Sequence, residues 1–269
     1  MGTSGRLDFN RLRKRNILRN AKAIGFRPGA IVDVGFAYGT EGLDEVFEDV
    51  RYLLIDPVAE IEPVMAEFCA GRPGSAYVVA AASDREGEME FIAREGVSGS
   101  SFHTKLKADG ERRKVPVHTL DALLAGRDLP GPLLIKIDTE GHELHVLRGA
   151  EQTLKRTGMV IAEISTWMED NTLGRAGMME IFQFMHERGF VFYEFAEPSF
   201  RPIDGALYMF DAVFVPRDSV LRRQKANKTP EQAAAAQAVK REHADLALSG
   251  RAPPRKRRPG PLARLLGRR

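Results

Sequence analysis

The sequence lacks most features of a secreted or membrane-spanning protein. Its 269 residues include one cysteine, Cys69, and one tryptophan, Trp167. A single cysteine excludes an internal disulfide and a cysteine-rich zinc site. No apolar run approaches the roughly 20 residues that a transmembrane helix needs, and the basic N-terminus lacks the apolar segment of a secretory signal. We therefore expect a cytoplasmic protein without a transmembrane segment.

Acidic residues are scarce at both ends of the chain. Residues 1–27 carry eight Lys or Arg and one acid, and residues 251–269 carry eight Lys or Arg and no acid. The formal net charge of +3 therefore leaves residues 28–250 at −12. An acidic body argues against nucleic acid as a partner. The basic C-terminal tail offers at most a weak contact with an anionic surface.

Strand-like and helix-like segments alternate between residues 31 and 215. Short apolar runs indicate strands, and apolar residues at helical spacing indicate helices. Strands are predicted at residues 31–34, 52–55, 76–82, 88–92, 114–117, 133–137, 159–164, 190–195 and 207–215. Helices are predicted at residues 40–48, 61–70, 120–124, 142–157 and 178–187.

This alternation predicts an α/β fold, in which helices cover both faces of a mostly parallel sheet. No helix separates the last two strands, so those strands must pair antiparallel. We expect one sheet with one antiparallel edge in a single domain.

Composition divides the chain into four parts. Residues 1–28 hold a basic amphipathic helix, predicted at residues 10–24, and residues 29–216 form the α/β domain. Residues 217–250 form a helical extension, in which Thr229, Pro230 and Glu231 mark a helix start. Residues 251–269 are rich in Pro and Arg and are expected to be disordered.

The segment IVDVGFAYG, residues 31–39, places a carboxylate and two glycines where a buried strand turns into a helix. Ligands of open parallel sheets bind at such strand ends, and glycine lets them approach the backbone. A carboxylate at Asp33 would repel a pyrophosphate but suits the cationic S-adenosylmethionine. Asp56 ends the second strand about 20 residues later, where an acid accepts hydrogen bonds from ribose hydroxyls. Further polar, small or acidic strand ends are Ala82-Ser83, Asp138 and Glu163.

The most specific segment is LLIKIDTEGHELHVLRGA, residues 133–150. An apolar strand carries Lys136, and a polar turn then leads into a helix. Together with the first turn and the Asp56-Pro57 strand end, it resembles the FkbM family of S-adenosylmethionine-dependent methyltransferases. That family is marked by L-I-K-I-D-x-E-G-x-E and then V-L-x-G-A, and residues 115–121 resemble its T-L-D lead-in. The resemblance covers roughly residues 29–215.

The chain departs from the family pattern at two places, the first turn and the end of the second strand. The family's first turn usually has the sequence D-V-G-A-N-x-G, whereas this chain has Phe36 and Ala37 in place of Ala-Asn. The change removes a polar group near the methionine end of the cofactor. The second strand of the family often ends in Glu-Pro, and Asp56-Pro57 keeps the charge on a shorter side chain.

The resemblance implies a Rossmann-like class I methyltransferase domain over residues 29–216, with a seven-stranded sheet and S-adenosylmethionine as cofactor. It implies methyl transfer, usually to a hydroxyl on a sugar, polyketide or other secondary metabolite. The predicted cofactor site comprises Asp33, Gly35, Phe36, Gly39, Asp56, Pro57, Ala82, Ser83 and Ser101.

An alcohol that attacks a methyl group needs a base or a strong hydrogen-bond acceptor within reach. Asp138, Glu140 and His142 follow the strand at residues 133–137 and are the predicted catalytic residues. Histidine ordinarily titrates near neutrality, so His142 is a candidate to take the proton. Asp138 and Glu140 alternatively share a divalent metal through their oxygens. Lys136 either pairs with an acid such as Glu163 or faces the cofactor.

Three segments are expected to shape the acceptor pocket, at residues 93–113, 167–177 and 197–205. Trp167 is a candidate for stacking on a sugar. Two other functions stay open: a non-catalytic methyltransferase-like domain that binds a partner or glycan, and an RNA-modifying methyltransferase whose basic termini bind phosphates.

Overall fold

A computed structural model describes residues 12–40, 42–93, 111–166, 177–224 and 228–248. The chain divides into two compact units, one ending at Arg223 and the other beginning at Gln224. The basic tail at residues 251–269, Ser101 and Trp167 lie outside the described residues. No described helix is long and apolar enough to cross a membrane.

The described part of the first unit contains ten strands. In chain order they are β1 (Ala30–Val34), β2 (Arg51–Asp56), β3 (Ala76–Val79), β4 (Ala81–Ala82), β5 (Gly87–Ala93), β6 (Glu111–His118), β7 (Leu133–Ile137), β8 (Thr157–Ser165), β9 (Phe190–Phe200) and β10 (Leu207–Pro216).

Seven of these strands form the main sheet, in the order β3-β2-β1-β7-β8-β10-β9. β10 runs antiparallel to both of its neighbours, and the other pairs are parallel. The predicted mostly parallel seven-stranded sheet with one antiparallel strand is confirmed. The antiparallel strand lies between β8 and β9, so it is not the edge strand that the sequence suggested.

A second, three-stranded sheet in the order β4-β6-β5 was not predicted. The sequence indicated a single strand over residues 76–82, but that run breaks at Ala80. The Ala80 N–H donates to the carbonyl of Asp56, after which the chain leaves the main sheet and Ala81 and Ala82 pair with β6. Ala82 therefore belongs to the small sheet.

The helices of the first unit are α1 (Lys14–Ile24), α2 (Leu43–Val46), α3 (Glu62–Ala70), α4 (Leu120–Leu124), α5 (Glu143–Arg148), α6 (Glu151–Leu154) and α7 (Met178–Glu187). One helix over residues 142–157 was predicted, and this prediction was wrong. The helix is interrupted at Gly149 and Ala150, and Thr157 already belongs to β8. A close backbone approach at Gly149 accounts for the interruption.

The two faces of the main sheet bury separate hydrophobic clusters. Ala30, Val32 and Val34 face the cluster that contains residues of α4 to α7, whereas Ile31 faces the cluster that contains Ile17 of α1. Because side chains alternate along a strand, Asp33 shares the α1 face with Ile31. The same alternation places Lys136, Glu163 and Asp211 on that face, beside Leu134, Ile161 and Val213.

The amphipathic N-terminal helix is confirmed as α1, whose buried side chains include Ile17, Leu18 and Ala21. Lys14, in its first turn, is buried and ion-paired with Asp211 of β10 at 2.9 Å. The Lys14 N–H donates to Glu197 of β9 at 2.8 Å, so one acidic side chain caps the helix start. α1 is therefore built into the fold.

In the second unit, α8 runs from Pro230 to Leu248. The Gln232 N–H donates to the Thr229 hydroxyl, and the Gln232 side chain accepts from the Thr229 N–H. This reciprocal pair is a capping box, and it confirms the predicted helix start.

Gly149→Ala is predicted to destabilise the protein. A Cβ at Gly149 would lie 1.9 Å from the carbonyl oxygen of Ser83. Because that neighbour is backbone, the clash requires a backbone shift costing about 1–3 kcal/mol. Urea unfolding followed by circular dichroism measures this loss.

Gly71→Ala is the matched control. Both glycines end a helix with φ of −79°, but a Cβ at Gly71 would meet only the Phe68 carbonyl oxygen, at 3.9 Å. The control should change the free energy of unfolding by no more than about 0.5 kcal/mol. Equal effects of the two substitutions would contradict the proposed backbone clash.

Candidate active site

The candidate site lies where parallel strands end. β1, β2 and β7 are neighbours in the main sheet, and their carboxyl ends meet at one edge. Asp33 and Gly35, Asp56 and Asp138 lie at or just after these ends. Open parallel sheets bind ligands in the crevice outside this edge. The structure thus brings the first predicted turn and the polar turn after β7 together.

Gly35 allows the two turns to touch. Its φ of +80° is left-handed, and a Cβ there would lie 1.8 Å from the carbonyl oxygen of Asp138. The Asp138 N–H in turn donates to the carbonyl of Val34 at 2.9 Å. A side chain at position 35 would therefore push the two turns apart.

Phe36 and Ala37, which replace the Ala-Asn of the family's first turn, differ in their surroundings. The Phe36 side chain is buried and packs edge-on against Phe68 of α3, with ring centroids 5.6 Å apart. Only its backbone can face a ligand. Ala37 adopts a left-handed φ of 48°, a conformation that Asn tolerates better than Ala.

Gly39 differs from Gly35 because no protein atom lies within 4 Å of the position that its Cβ would occupy. Neighbouring protein groups therefore do not require glycine here. Open space beside a glycine at a strand end suits a ligand that approaches the backbone.

Asp56 is buried at the end of β2 and accepts two backbone hydrogen bonds. Its Oδ2 accepts from the Ala37 N–H at 3.0 Å, and its Oδ1 accepts from the Val58 N–H at 2.9 Å. Burial raises the pKa of this carboxyl, and the two hydrogen bonds oppose that rise. Each oxygen keeps a second lone pair, so the carboxylate can still accept from ribose hydroxyls. Pro57 follows it and is half-buried.

Asp33 and Lys136 form a buried ion pair between adjacent strands. The two residues are register partners, and Lys136 Nζ lies 3.1 Å from Asp33 Oδ1. It also donates to the carbonyl of Gly35 at 2.9 Å and lies 3.6 Å from Asp138 Oδ2. Of the two roles that the sequence left open for Lys136, pairing with an acid is the one observed, with Asp33 as the partner.

The second oxygen of Asp33 lacks a donor in the described part of the chain. Asp33 is fully buried, and its Oδ2 has no hydrogen-bond partner there. Burial raises the pKa of Asp33 to about 6, although Lys136 lowers it. A buried carboxylate oxygen that accepts no hydrogen bond reduces the free energy of unfolding. The unmet requirement fits the ammonium group of S-adenosylmethionine.

The turn after β7 is held in shape by Glu143. Its Oε1 accepts from the N–H of Thr139, the hydroxyl of Thr139 and the N–H of Gly141, at 3.0–3.1 Å. Burial raises the pKa of Glu143. Glu140, between these donors, has a left-handed φ of 55°, while Asp138 and Glu140 are both half-buried. The sequence did not identify this bracing role of Glu143.

Ser83 and His142 meet behind this turn. Ser83 Oγ lies 2.9 Å from His142 Nε2, and both residues are buried. The His142 ring stacks on His145, with centroids 4.3 Å apart. The Ser83 N–H donates to the carbonyl of His118 in β6. The contact therefore joins the small sheet to the start of α5.

Two further acids extend the site along the α1 face of the sheet. Glu163 of β8 pairs in register with Asp211 of β10, and Asp138 lies just after the end of β7, the strand on the other side of β8. Asp211 carries the buried ion pair to Lys14. Strand-end position alone had singled out Glu163, but no sequence signal indicated Asp211 or Lys14.

A metal site is not evident in the described ranges, where no group of three or more His, Cys, Asp or Glu could hold a metal ion. The suggested metal-binding role of Asp138 and Glu140 stays a prediction. Of the expected acceptor segments, residues 94–110 and 167–176 lie outside the described ranges. Residues 197–200 continue β9 instead of forming a loop.

Comparison with known proteins gives a family for this chain. Residues 36–192 match the methyltransferase FkbM domain. The hexuronic acid methyltransferase AglP of Haloferax volcanii is 43% identical over 44 residues, which cover 16% of this chain and 18% of that relative. The match therefore spans less than a fifth of the relative's length.

Solved structures show remote likeness to the chain. A magnesium protoporphyrin IX methyltransferase from Synechocystis PCC 6803 is 11% identical with a TM-score of 0.41, over 80% of this chain and 86% of that one. The N-methyltransferase NodS from Bradyrhizobium japonicum WM9 is 10% identical with a TM-score of 0.43, over 76% and 86%. These values are too low to bear on activity.

Lys136→Met is predicted to destabilise the protein by about 3–5 kcal/mol, because it leaves the buried Asp33 carboxylate without its cation. Lys136 lowers the pKa of Asp33, so its loss raises that pKa, and the folded variant keeps the carboxyl protonated. The unfolded chain releases this proton above about pH 4. The loss of stability should therefore grow as pH rises from 5 to 8. Urea unfolding across this range measures it.

Adding Asp33→Asn to Lys136→Met should restore part of the lost stability, because the uncompensated acid is gone. Lys114→Met, at an exposed position of β6, is the control and should change stability by no more than about 0.5 kcal/mol. A pH-independent loss that the second substitution does not relieve would contradict the buried ion pair.

Proposed function

This chain belongs to the FkbM family of S-adenosylmethionine-dependent methyltransferases, and we propose that it methylates a hydroxyl of a sugar or another small-molecule acceptor, such as a secondary metabolite. The observation that carries the proposal is the Lys136 ammonium group, which joins the cofactor turn at Gly35 to the polar turn at Asp138. The same ammonium group therefore contacts the turn that we assign to the methyl donor and the turn that we assign to the acceptor. A lone cysteine suits the reducing cytoplasm, where we place the reaction.

On the donor side, we assign ribose binding to Asp56, whose carboxylate is fixed by two backbone N–H groups. Asp33 would receive the ammonium group through Oδ2, which has no donor among the described residues. The open space beside Gly39 would admit the cofactor backbone. When bound, S-adenosylmethionine supplies an electrophilic methyl group on a positively charged sulfur.

On the acceptor side, we assign hydrogen bonding of the hydroxyl to Asp138 and Glu140. Both are half-buried after β7, so a ligand can reach them. His142, the third predicted catalytic residue, directs Nε2 at Ser83 inside the protein. Its proposed role is therefore to order the turn.

A neutral polyol fits this site better than an acid does. Asp138, Glu140, Glu163 and Asp211 lie at the same edge of the sheet, and burial together with the charges of the other three raises the pKa of Glu163. Such a surface repels a carboxylate and attracts the hydroxyl protons of a sugar. The short match to a hexuronic acid methyltransferase supports a carbohydrate acceptor, while the acids favour reaction at a hydroxyl.

Asp56→Ala is predicted to weaken S-adenosylmethionine binding by about tenfold or more, because hydrogen bonds to a charged group contribute roughly 1.5–3 kcal/mol. Isothermal titration calorimetry measures the dissociation constant, and circular dichroism verifies that the variant is folded. Asp49→Ala removes an exposed aspartate before β2 and should leave affinity unchanged. Absence of binding by folded wild-type protein would favour a non-catalytic binding domain.

The product of methyl transfer to a neutral sugar should survive mild alkali. Methylation of a hydroxyl gives an ether, whereas methylation of a uronic acid carboxylate gives an ester that alkali hydrolyses. Incubation with labelled S-adenosylmethionine and matched neutral and uronic sugars, followed by alkali treatment, separates these products. Alkali-labile label, or label transferred only to RNA, would contradict the proposed acceptor.

A further inference from the structure

One carboxylate at the proposed active site has no partner in the described part of the chain. Asp138 lies near Lys136, and Asp211 is paired with Lys14. Glu163 lies between them on β8, and its carboxylate makes no hydrogen bond or salt bridge to any described residue. Its side chain is nevertheless mostly buried. Because buried acids are normally paired, this position requires an explanation.

A second buried acid on the same face of the sheet also has an oxygen without a hydrogen-bond donor among the described residues. Asp33 is fully buried on the same sheet face, connected to Asp138 through Lys136, and its Oδ2 also lacks a donor among the described residues. Two acids on the same face of the sheet therefore have an oxygen without a donor among the described residues. Both are suited to a ligand that brings positive charge and hydrogen-bond donors.

We propose that Glu163 is the base that accepts the hydroxyl proton of the acceptor during methyl transfer. The inference rests on the proposed function. In this step the hydroxyl oxygen forms a bond to the methyl carbon, and the carbon–sulfur bond breaks with its electron pair going to sulfur. The hydroxyl proton moves to the Glu163 carboxylate, so the charges balance. Proton transfer by a positioned side chain contributes about 10²–10⁴-fold to a rate.

The charged groups around Glu163 determine when it can act as a base. Burial, together with the charges of Asp138, Glu140, Glu143 and Asp211, raises its pKa to about 9. Most of the Glu163 carboxyl is therefore protonated at pH 7 in the free protein. A cation in the crevice lowers this pKa, because an opposite charge nearby shifts an acid by about 1–3 units. Glu163 thus becomes a base chiefly when the positively charged donor is present.

A purely structural role explains the position of Glu163 less well than a role as the base does. A residue that stabilised the fold would be paired, as Asp211 and Glu143 are. Four neighbouring acids raise the free energy of ionised Glu163, so the charge is unfavourable for folding. Glu163→Gln should consequently fold, and its stability relative to the wild type should increase as pH rises from 5 to 9.

The test compares binding of two ligands that differ in charge at sulfur. S-adenosylmethionine carries a sulfonium, whereas S-adenosylhomocysteine carries a neutral thioether. Calorimetry at pH 8 in two buffers of different ionisation enthalpy gives the number of protons released. Wild-type protein should release roughly half a proton with S-adenosylmethionine and much less with S-adenosylhomocysteine. Glu163→Gln should bind both ligands, and the number of protons released should no longer differ between them.

Initial rates with a methyl acceptor add a second readout. The wild-type rate should rise with pH towards a plateau, because the ionised base is the active form. Glu163→Gln should be at least about 100-fold slower and lose this pH dependence, while Glu163→Asp should retain the dependence at a reduced rate. Glu88→Gln, at an exposed position of β5, is the matched control and should behave as the wild type.

Two failures are distinguishable. If wild-type protein and Glu88→Gln do not bind S-adenosylmethionine, the proposed function is wrong and the role of Glu163 falls with it. If all variants bind and methylate, but Glu163→Gln keeps the proton release or the wild-type pH profile, only the role of Glu163 is overturned.

Discussion

The buried ammonium group of Lys136 is the constraint on which the arrangement of the site depends. It lies between Asp33 at the end of β1 and Asp138 after β7, and it also binds the carbonyl of Gly35. A buried cation must stay close to its acids, so the two turns cannot move independently. Methyl transfer requires donor and acceptor atoms held about 3–3.5 Å apart. A rigid connection between the two turns therefore serves the proposed reaction directly.

The charged side chains on the α1 face of the sheet are also arranged by pairing between lysines and acids. Lys14 satisfies Asp211, Lys136 satisfies one oxygen of Asp33, and Glu163 remains unpaired among the described residues. The negative excess suits a cationic methyl donor and a neutral acceptor. The amphipathic helix α1 contributes to this balance through a buried lysine, which explains why its first turn is fixed to β9 and β10. The basic character of this helix is thus partly structural.

Much of the fold followed from periodicity, and the errors have identifiable causes. Strand and helix types were predicted correctly for most segments, because buried strands are apolar runs and the helices have one apolar face. The strand over residues 76–82 and the helix over residues 142–157 were each predicted as one element. Both are divided by contacts with distant residues: Ala80 bonds to Asp56, and Gly149 packs on Ser83. Local sequence carries no signal for such contacts.

The family, the cofactor class and the polar strand ends could be predicted from sequence alone, because these depend on short motifs and on residue type. Which side chains meet follows only from the tertiary structure. It paired Lys136 with Asp33, directed His142 towards Ser83, buried Phe36 in the core, and placed Glu163 among four other acids. Pairing and burial arise between residues far apart in the chain, and they set the charge and the access of each group. The proposed division of roles therefore depends on the folded arrangement.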